Sequence, residues 1–410
     1  MRVRNFFTKF TTVLLVAVLL LSMGNSAKAQ EEKEDGFTFG GAVRFNIFDK
    51  SWVDGKTQPE ATWDTWRLNV DGSKAGIDLS FEYRFYPTFG THFIHHGWLG
   101  YAFNENVYMK LGVTQVPFGI TKFASHSWWF QGQYYVGLED DMDMGVKFDI
   151  SKFENLDLSI AYFRQAEPEG PVAYLFGNNS DVTYGQAGPG RYSYDITPGV
   201  GAVYNETTGS MEVVDASIRE LNQFNLRAAY HLSDAVEIGA SAQFGGIYNQ
   251  TLDEAEMSTA FAGHMVANFG GGFNFKGSYI YHNYTAKSDD GRDLDVIQMG
   301  AYGSPYDVAT EANIYAVGLA YGFDVDWGPI SNINAYVDYT MVDKVNENFE
   351  DWQHLVPGFM ITSGSVYTYV DWAWGYNHPW LGAPFGKGAG MGNPDAEWEN
   401  RFNINIGYYF

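Results

Sequence analysis

The sequence predicts an all-β fold, a transmembrane antiparallel up-and-down β-barrel of about 16 strands, and three observations support it. Segments of about ten residues alternate between apolar and polar side chains along the chain, as strands between lipid and a wet lumen do. Aromatic residues make up 17% of the sequence, alongside 46 glycines. Such aromatics are typical of the girdles at the two lipid interfaces of a barrel. The chain also ends on an alternating segment, RFNINIGYYF.

The alternation defines the strands. In AGIDLSFEYRFY, Ile77, Leu79 and Phe81 share one face of the predicted strand, and the residues between them are polar. A soluble sandwich also alternates, but a long succession of such segments favours the barrel. We predict strands at 37–48, 62–71, 75–86, 93–103, 106–115, 142–151, 156–164, 221–232, 235–247, 257–268, 271–284, 312–323, 331–342, 357–371 and 398–410. Because single-chain bacterial barrels have an even strand number, we expect about 16, with 14 or 18 as alternatives.

The connections between strands alternate in length. Short turns connect the predicted strands at one end of the barrel. The long connections are rich in Gly, Pro and Asp and comprise residues 165–220, 285–311 and 372–397. That composition opposes packed secondary structure and predicts extracellular loops. As an alternative, one of these loops folds into the lumen as a constriction.

The N-terminus has the pattern of a secretory signal peptide. Arg2 and Arg4 precede an apolar run from Val13 to Leu21, and small residues follow up to Ala29. A membrane-spanning helix needs roughly 20 apolar residues, about twice this run. We therefore predict a signal peptide at 1–29 and an outer-membrane barrel at 30–410.

Composition excludes several classes of function. Cysteine is absent, which excludes disulfides, thiolate metal sites and thiol nucleophiles. The net charge of −24 argues against nucleic-acid binding through a basic surface. No nucleophile motif is present, so we expect neither an enzyme nor a cofactor.

A family resemblance adds to this interpretation. The segment LGVTQVPFGI, residues 111–120, resembles the strand-loop signature of the phosphate-selective porin O/P family, with Val116 to Gly119 as its sharpest motif. HHGWLGY, ASHSWWF and YYVGLEDDMDMG resemble the Bacteroidetes-type outer-membrane porins of that group. The resemblance covers about residues 36–410. It implies a 16-stranded, trimeric diffusion porin whose anion selectivity depends on basic residues lining the pore.

Basic residues of the strands are the candidate pore lining. A charge facing lipid near the midplane costs roughly 2–4 kcal/mol, so these side chains are expected to point inward. The candidates are Arg44, Arg67, Arg84, Lys110, Lys147 and Arg227. One interpretation is that they pair with acidic residues across the lumen, namely Asp78, Glu82, Asp149 or Asp338. The other is a basic stripe that attracts anions.

Two groups of residues could bind a metal. The acidic run at 139–143 includes Asp141 and Asp143, which are weak candidates for Ca²⁺. The EF-hand spacing is absent, so we prefer an acidic solvated loop. His95 and His96 are adjacent, and on a regular strand they would point to opposite faces and could not chelate together.

The loop after the Pro-Phe-Gly turn carries Ser125, His126 and the aromatic stretch SWWFQGQYY. A Ser/His hydrolase would need a contact between the two side chains, oriented by a third polar group. The aromatic stretch predicts either a lipid-interface girdle or a platform for sugars, and we favour the girdle.

The ending predicts how the barrel closes. Phe402, Ile404, Ile406 and Tyr408 share the apolar face, and the last strand must pair with the first to leave no free edge. By resemblance, Phe410 is the signal read by the barrel-assembly machinery.

We therefore expect an outer-membrane porin for passive diffusion of small hydrophilic solutes or ions, with anion or phosphate selectivity as the finer possibility. Its expected partners are lipid, the assembly machinery and two further copies of the chain in a homotrimer. The alternative is a non-conducting outer-membrane barrel that acts as a surface-binding or structural anchor protein.

Overall fold

The structure, a computed structural model, describes residues 35–170 and 190–410. The predicted signal peptide lies outside these residues. Three one-turn 3₁₀ helices occur in the described part, at Gly55–Thr57, Pro87–Phe89 and Tyr134–Val136. The same residues form β1 (Gly36–Lys50), β2 (Glu60–Lys74), β3 (Ile77–Tyr86), β4 (Thr91–Asn104), β5 (Val107–Gln115), β6 (Met142–Phe153), β7 (Leu156–Ala166), β8 (Asp195–Ile196), β9 (Gly199–Asn205), β10 (Ser210–Ala216), β11 (Ile218–Ser233), β12 (Val236–Asn249), β13 (Glu254–Phe269), β14 (Phe273–Asn283), β15 (Val296–Ala301), β16 (Ser304–Ala309), β17 (Glu311–Trp327), β18 (Ile330–Lys344), β19 (Trp352–Ser363), β20 (Val366–Tyr376) and β21 (Glu399–Tyr409). Across the described ranges, no helix is long and apolar enough to cross a membrane.

Sixteen of these strands close into one antiparallel barrel in the order β1–β7, β11–β14 and β17–β21. The barrel closes between β1 and β21, where Asn46 lies opposite Asn405. The terminal residue takes part in this pairing, because the backbone of Phe410 exchanges hydrogen bonds of 2.9 and 3.1 Å with Gly41. The predicted fold class and the predicted pairing of the last strand with the first are confirmed.

The alternation of side chains separates an apolar outer surface from the lumen. On β17, Tyr315 and Val317 are both 46% exposed, whereas Ile314 and Ala316 between and beside them are almost fully buried. Large apolar side chains dominate the exposed face of the other barrel strands as well. A surface of this kind is stable in lipid rather than in water.

One predicted strand is in fact two. The window 357–371 spans the end of β19 and the start of β20, which are joined by a tight turn at Gly364 and Ser365. Gly364 has φ of +58°, a left-handed conformation that glycine adopts without strain. Because both sides of the turn continue the alternation, the pattern alone conceals the break. Splitting this window turns the 15 predicted windows into the observed 16 strands.

The long connections contain a second sheet that the sequence analysis missed. Strands β8–β10 from one loop and β15–β16 from another form a five-stranded sheet. The prediction that these two connections, 165–220 and 285–311, lack packed secondary structure is therefore wrong for the described residues; residues 171–189 of the first connection lie outside them. Short apolar runs such as VIQMGA, residues 296–301, are buried in this sheet. Abundant Gly, Pro and Asp around them mask these runs.

The interior of the barrel is packed with loop residues. A buried cluster joins inward-facing wall residues such as Ile314 and Trp352 to loop residues such as Tyr135, Met299 and Leu381. All the long connections leave the same end of the barrel, since the strands are antiparallel and the turns at the other end are short. The core of this molecule therefore lies within the barrel, toward its long-loop end.

Candidate pore lining

The loop between β5 and β6, residues 116–141, begins by docking on the wall at its Pro-Phe-Gly turn. Gly119 adopts φ of +56°. Its backbone N–H donates to Ser241 Oγ at 3.0 Å, and its carbonyl oxygen accepts from Arg227 Nε at 2.7 Å. Both partners lie on the inner face of β11 and β12. The motif thus turns the chain from the end of β5 into the lumen.

The same loop is anchored further around the wall by Asp338 of β18. This fully buried carboxylate accepts from the backbone N–H groups of His126 at 2.7 Å and Ser127 at 2.8 Å. It also lies 2.8 Å from the Nδ1 atom of His126, whose Nε2 atom is 2.6 Å from Asn274 Oδ1. The loop leaves the wall at β5 and is held on β18, which lies eight strands away in the 16-stranded barrel, so it crosses the lumen.

Further contacts hold the loop along its length. Lys276 Nζ on β14 donates to the carbonyl oxygens of Phe123 at 2.7 Å and Ser125 at 2.9 Å. Glu139 Oε1 accepts from the backbone N–H of Ala124 at 2.8 Å, which ties the two ends of the loop together. Burial raises the pKa of Glu139 to about 8.

The hydroxyls near His126 are engaged elsewhere. Ser125 Oγ donates to the carbonyl oxygen of Ser127 at 3.3 Å, and Ser127 Oγ donates to that of Trp129 at 2.7 Å. His126 is oriented by Asp338, as a catalytic base would be, but its hydrogen bonds hold the loop on the wall.

The aromatic stretch of the loop lies inside the barrel. Trp129, Tyr134 and Tyr135 are each at most 5% exposed. The Tyr135 ring lies 4.7 Å from that of His378 and 6.0 Å from that of Trp352. The predicted lipid-interface girdle is therefore wrong for these residues, and their faces contact other rings instead of an open platform. Burial lowers the pKa of His378 well below its usual 6.5.

Three of the six predicted pore residues come together on β1–β3. Arg67 lies opposite Arg84 in the strand register, and Arg44 is on the next strand. Arg44 forms an ion pair with Asp64 at 2.8 Å, and Arg84 forms one with Glu82. Within the described residues, Arg67 has no carboxylate in ion-pair contact. We call these three guanidinium groups the arginine cluster.

A second loop covers the arginine cluster. The guanidinium carbon of Arg84 lies 4.5 Å from the ring centroid of Tyr192, which follows β7 in the chain. The Tyr192 hydroxyl donates to Asp140 Oδ2 at 2.6 Å. The cluster therefore faces loop residues across a short gap.

The other three predicted pore residues lie apart from the cluster. Lys110 is 3.7 Å from the carboxylate of Asp149, and Arg227 is 2.9 Å from that of Glu237. Lys147 instead donates to the carbonyl oxygen of Gln115 at 3.0 Å. Four acidic residues were expected to pair with these bases across the lumen. Glu82 pairs instead with Arg84 of its own strand, and Asp149 pairs with Lys110 of the adjacent strand. Asp78 accepts a hydrogen bond from the Tyr108 hydroxyl, and Asp338 contacts His126.

An open cavity of about 520 Å³ lies at the short-turn end of the lumen. Its lining includes Asp71, Asp78, Ser80, Tyr108 and Lys110. These side chains carry both signs of charge and several hydroxyls. They form a polar entrance below the packed loops.

A β-bulge changes the geometry of the two histidines. Glu82 pairs with His96 and the next residue of β3 pairs with Ile94, so His95 is the extra residue of β4. The Nδ1 atoms of His95 and His96 lie 2.8 Å apart, and the Glu82 carboxylate is close to both. The expectation that the two histidine side chains point to opposite faces holds only for a regular strand. Because β4 is bulged here, both rings lie on the same side. The neighbouring Arg84 already binds Glu82, which disfavours a cation there.

Two further features of the lumen were missed. The Arg401 guanidinium of β21 lies 3.9 Å from the Phe48 ring and 5.4 Å from the Trp129 ring. The alternation that places Phe402 outside also places Arg401 inside, so the sequence pattern could have predicted that Arg401 faces the lumen. The acidic run at 139–143 is buried, not solvated as predicted, and Asp141 and Asp143 are 5% and 1% exposed.

Comparisons with known proteins match this fold to solved outer-membrane proteins. An anion-selective porin from Comamonas acidovorans is 12% identical, with 92% of this chain and 100% of that chain covered and a TM-score of 0.56. OmpF of Salmonella typhi is 10% identical, with 92% and 98% covered and a TM-score of 0.54. OmpT of Vibrio cholerae in its trimer form is 12% identical, with 92% and 99% covered and a TM-score of 0.51. No protein-family model and no curated protein sequence matches the chain. At these identities the likeness shows that the chain has the fold of outer-membrane porins.

Proposed function

We propose that this chain is an outer-membrane porin through which small hydrophilic solutes or ions diffuse passively. The observation that carries the proposal is the loop 116–141, which crosses the lumen of a closed 16-stranded barrel and narrows it. A barrel of 16 strands leaves an aqueous channel unless its loops fill it. The likeness to solved porins supports the same function.

The proposal includes the route by which the chain reaches the membrane. Residues 1–29 direct export and are removed, and Phe410 at the end of the closing strand is read by the barrel-assembly machinery. The apolar outer surface then contacts lipid. We propose a homotrimer, which the trimeric form of one structural neighbour supports. The role is transport rather than catalysis.

The charges of the lumen favour a weak preference for anions. The arginine cluster carries three positive charges, and the carboxylates of Asp64 and Glu82 offset two of them. Arg67 supplies the remaining charge where the loops narrow the lumen. Rings of charged side chains set the preference of a pore, so a small excess produces a small bias. The phosphate selectivity implied by the family resemblance would have to use the same cluster.

One observation favours a second candidate function. The buried cluster of loop and wall residues fills much of the long-loop end of the barrel. If this packing leaves no continuous aqueous path, the barrel is a membrane anchor, and its long loops bind a partner at the surface. Both candidates share the fold, and they differ only in permeation.

Swelling of liposomes separates the two functions. Refolded protein is reconstituted into liposomes that are then placed in isotonic solutions of sugars of increasing size. A porin produces swelling rates that fall as the sugar becomes larger, because the narrowed lumen sieves by size. Liposomes that contain the folded barrel and do not swell in the smallest sugar would support the anchor instead. Competition by phosphate against chloride flux tests the finer selectivity.

A further inference from the structure

Three carboxylates from separate parts of the chain meet inside the barrel. Asp141 ends the loop 116–141, Asp143 is the second residue of β6, and Asp195 begins β8. One oxygen from each lies within 4.8 Å of the others. All three side chains are at least 95% buried. We call these residues the carboxylate triad.

The surroundings of the triad add more negative charge than positive. Glu167 and Glu220 lie close enough to interact electrostatically with it. The described residues contribute one cation, Arg191, whose Nη1 atom is 2.9 Å from Asp195 Oδ2. Five carboxylates and one guanidinium would leave a net charge of −4 in the barrel interior. Burying uncompensated charge is costly, so a further positive group is expected here.

Three oxygens in this group have no hydrogen-bond partner among the described residues: Asp141 Oδ1, Asp143 Oδ1 and Glu167 Oε2. The second oxygen of two of these carboxylates is held in place. Asp143 Oδ2 accepts from Gln223 Nε2 at 3.1 Å, and Glu167 Oε1 accepts from the backbone N–H of Ser193 at 2.9 Å. Each of these two carboxylates is therefore oriented by one oxygen and presents the other, free oxygen to the interior. Metal ligands are commonly oriented in this way.

We propose that the carboxylate triad binds a hard divalent cation, with Ca²⁺ as the best fit, and that Glu167 adds negative charge beside it. Calcium binds oxygen ligands at about 2.3–2.6 Å, so two ligands of one ion lie at most about 5 Å apart. The spacing within the triad satisfies this limit. The ligands are all carboxylates, which suit calcium better than the transition metals that prefer imidazole or thiolate.

The position of the site gives the ion a structural role. Asp141 belongs to the loop that crosses the lumen, Asp143 to the barrel wall, and Asp195 to the five-stranded sheet of the long connections. A shared ion fastens these three parts to one another. Loss of the ion leaves mutual repulsion between carboxylates and loosens the loops. This inference does not depend on whether the barrel conducts.

Terbium luminescence tests the site directly. The protein is refolded in detergent without lipopolysaccharide, which would bring its own divalent cations, and is stripped with EDTA. Tb³⁺ has the same preference for oxygen ligands, and Tyr192 and Tyr284 lie near enough to the cluster to sensitise its emission. We expect one saturable site from which Ca²⁺ displaces Tb³⁺. Asp143→Asn should weaken binding by about tenfold or more, since it removes a charged ligand.

Asp395→Asn is the matched control, because Asp395 is an exposed carboxylate on a long loop at the same end of the barrel. It should bind Tb³⁺ as the wild type does. Equal binding by Asp143→Asn and the wild type, or no saturable site in the wild type, would overturn the proposal.

Thermal unfolding gives a second readout, and its wild-type comparison requires no variant. The Tm of the wild type should rise when Ca²⁺ replaces EDTA, because a ligand that binds only the folded state stabilises it. In Asp195→Asn this calcium-dependent rise should be lost. A wild-type Tm that is the same in Ca²⁺ and in EDTA would contradict a bound ion.

Discussion

Replacing Asp338 by alanine should release the middle of the loop 116–141 from the barrel wall and widen the lumen. The Asp338 carboxylate accepts three hydrogen bonds, from the backbone N–H groups of His126 and Ser127 and from the His126 ring. Alanine offers no acceptor. The three donors would then remain buried without a partner or would have to move into water.

The size of the effect follows from the number and kind of these bonds. A hydrogen bond to a charged group contributes about 1.5–3 kcal/mol, and Asp338→Ala removes the acceptor of three such bonds. We take about 3 kcal/mol as the loss in docking free energy, because released donors regain water. That loss raises the population of the undocked segment by more than about a hundredfold. The anchors at Gly119 and Lys276 should keep the first part of the loop, up to Ser125, in place.

Single-channel recording in planar bilayers measures the consequence. Asp338→Ala should show a larger unit conductance or frequent steps to a larger one. Asp338→Asn keeps one acceptor oxygen and removes the charge, so it separates the loss of hydrogen bonds from the loss of charge. Asp343→Ala is the matched control, since Asp343 lies on the outward face of the same strand.

A unit conductance of Asp338→Ala that equals the wild-type value, in protein that still forms the heat-modifiable barrel, would refute this reasoning. The loop would then be held by its other contacts, or it would not limit the pore. A change of the same size in Asp343→Ala would also count against it.

Three other perturbations test separate parts of the account. Arg67→Ala removes the guanidinium that has no described ion pair, so the reversal potential in a salt gradient should shift toward cations; an unchanged potential would show that Arg67 does not set ion preference. Burial lowers the pKa of His378 well below its usual 6.5, so the folded protein holds the ring neutral; stability is therefore unaffected above pH about 6.5 and falls as the pH drops below that value, because the unfolded chain takes up the proton first. His378→Asn keeps an acceptor for the Trp380 N–H, and its Tm should fall less on acidification than that of the wild type; an equal fall would assign the effect to other groups. Deleting Phe410 removes both backbone hydrogen bonds to Gly41 and should leave the chain unassembled in the periplasm; normal barrel in the outer-membrane fraction would contradict the assembly role.

The barrel was predictable because its strands obey a period of two against two different solvents. Charged side chains on the strands, such as Arg44 and Arg227, are costly in lipid, and both of these point into the barrel. The break at Gly364 was hidden because the alternation runs through the turn. The prediction of 16 strands therefore came from the rule that bacterial barrels have an even strand number, and no local sequence pattern revealed the missing strand.

The lumen was less predictable because its contacts join distant segments. The carboxylate triad combines Asp141 and Asp143 with Asp195, which lies in a loop read as unstructured. No sequence pattern near any of these residues indicates that they lie close together in the fold. The bulge at His95 likewise depends on pairing with β3 and reverses an inference that is valid for regular strands. In contrast, Arg401 follows from the alternation and could have been included.

Conductance of the wild-type protein in a planar bilayer tests the central claim most directly. Refolded barrel added to the bilayer should insert in discrete steps, each with a stable open conductance that falls when larger ions replace potassium and chloride. The narrowed lumen and its polar entrance predict this result. A silent bilayer, with insertion of folded protein verified independently, would contradict the porin and leave a plugged membrane anchor.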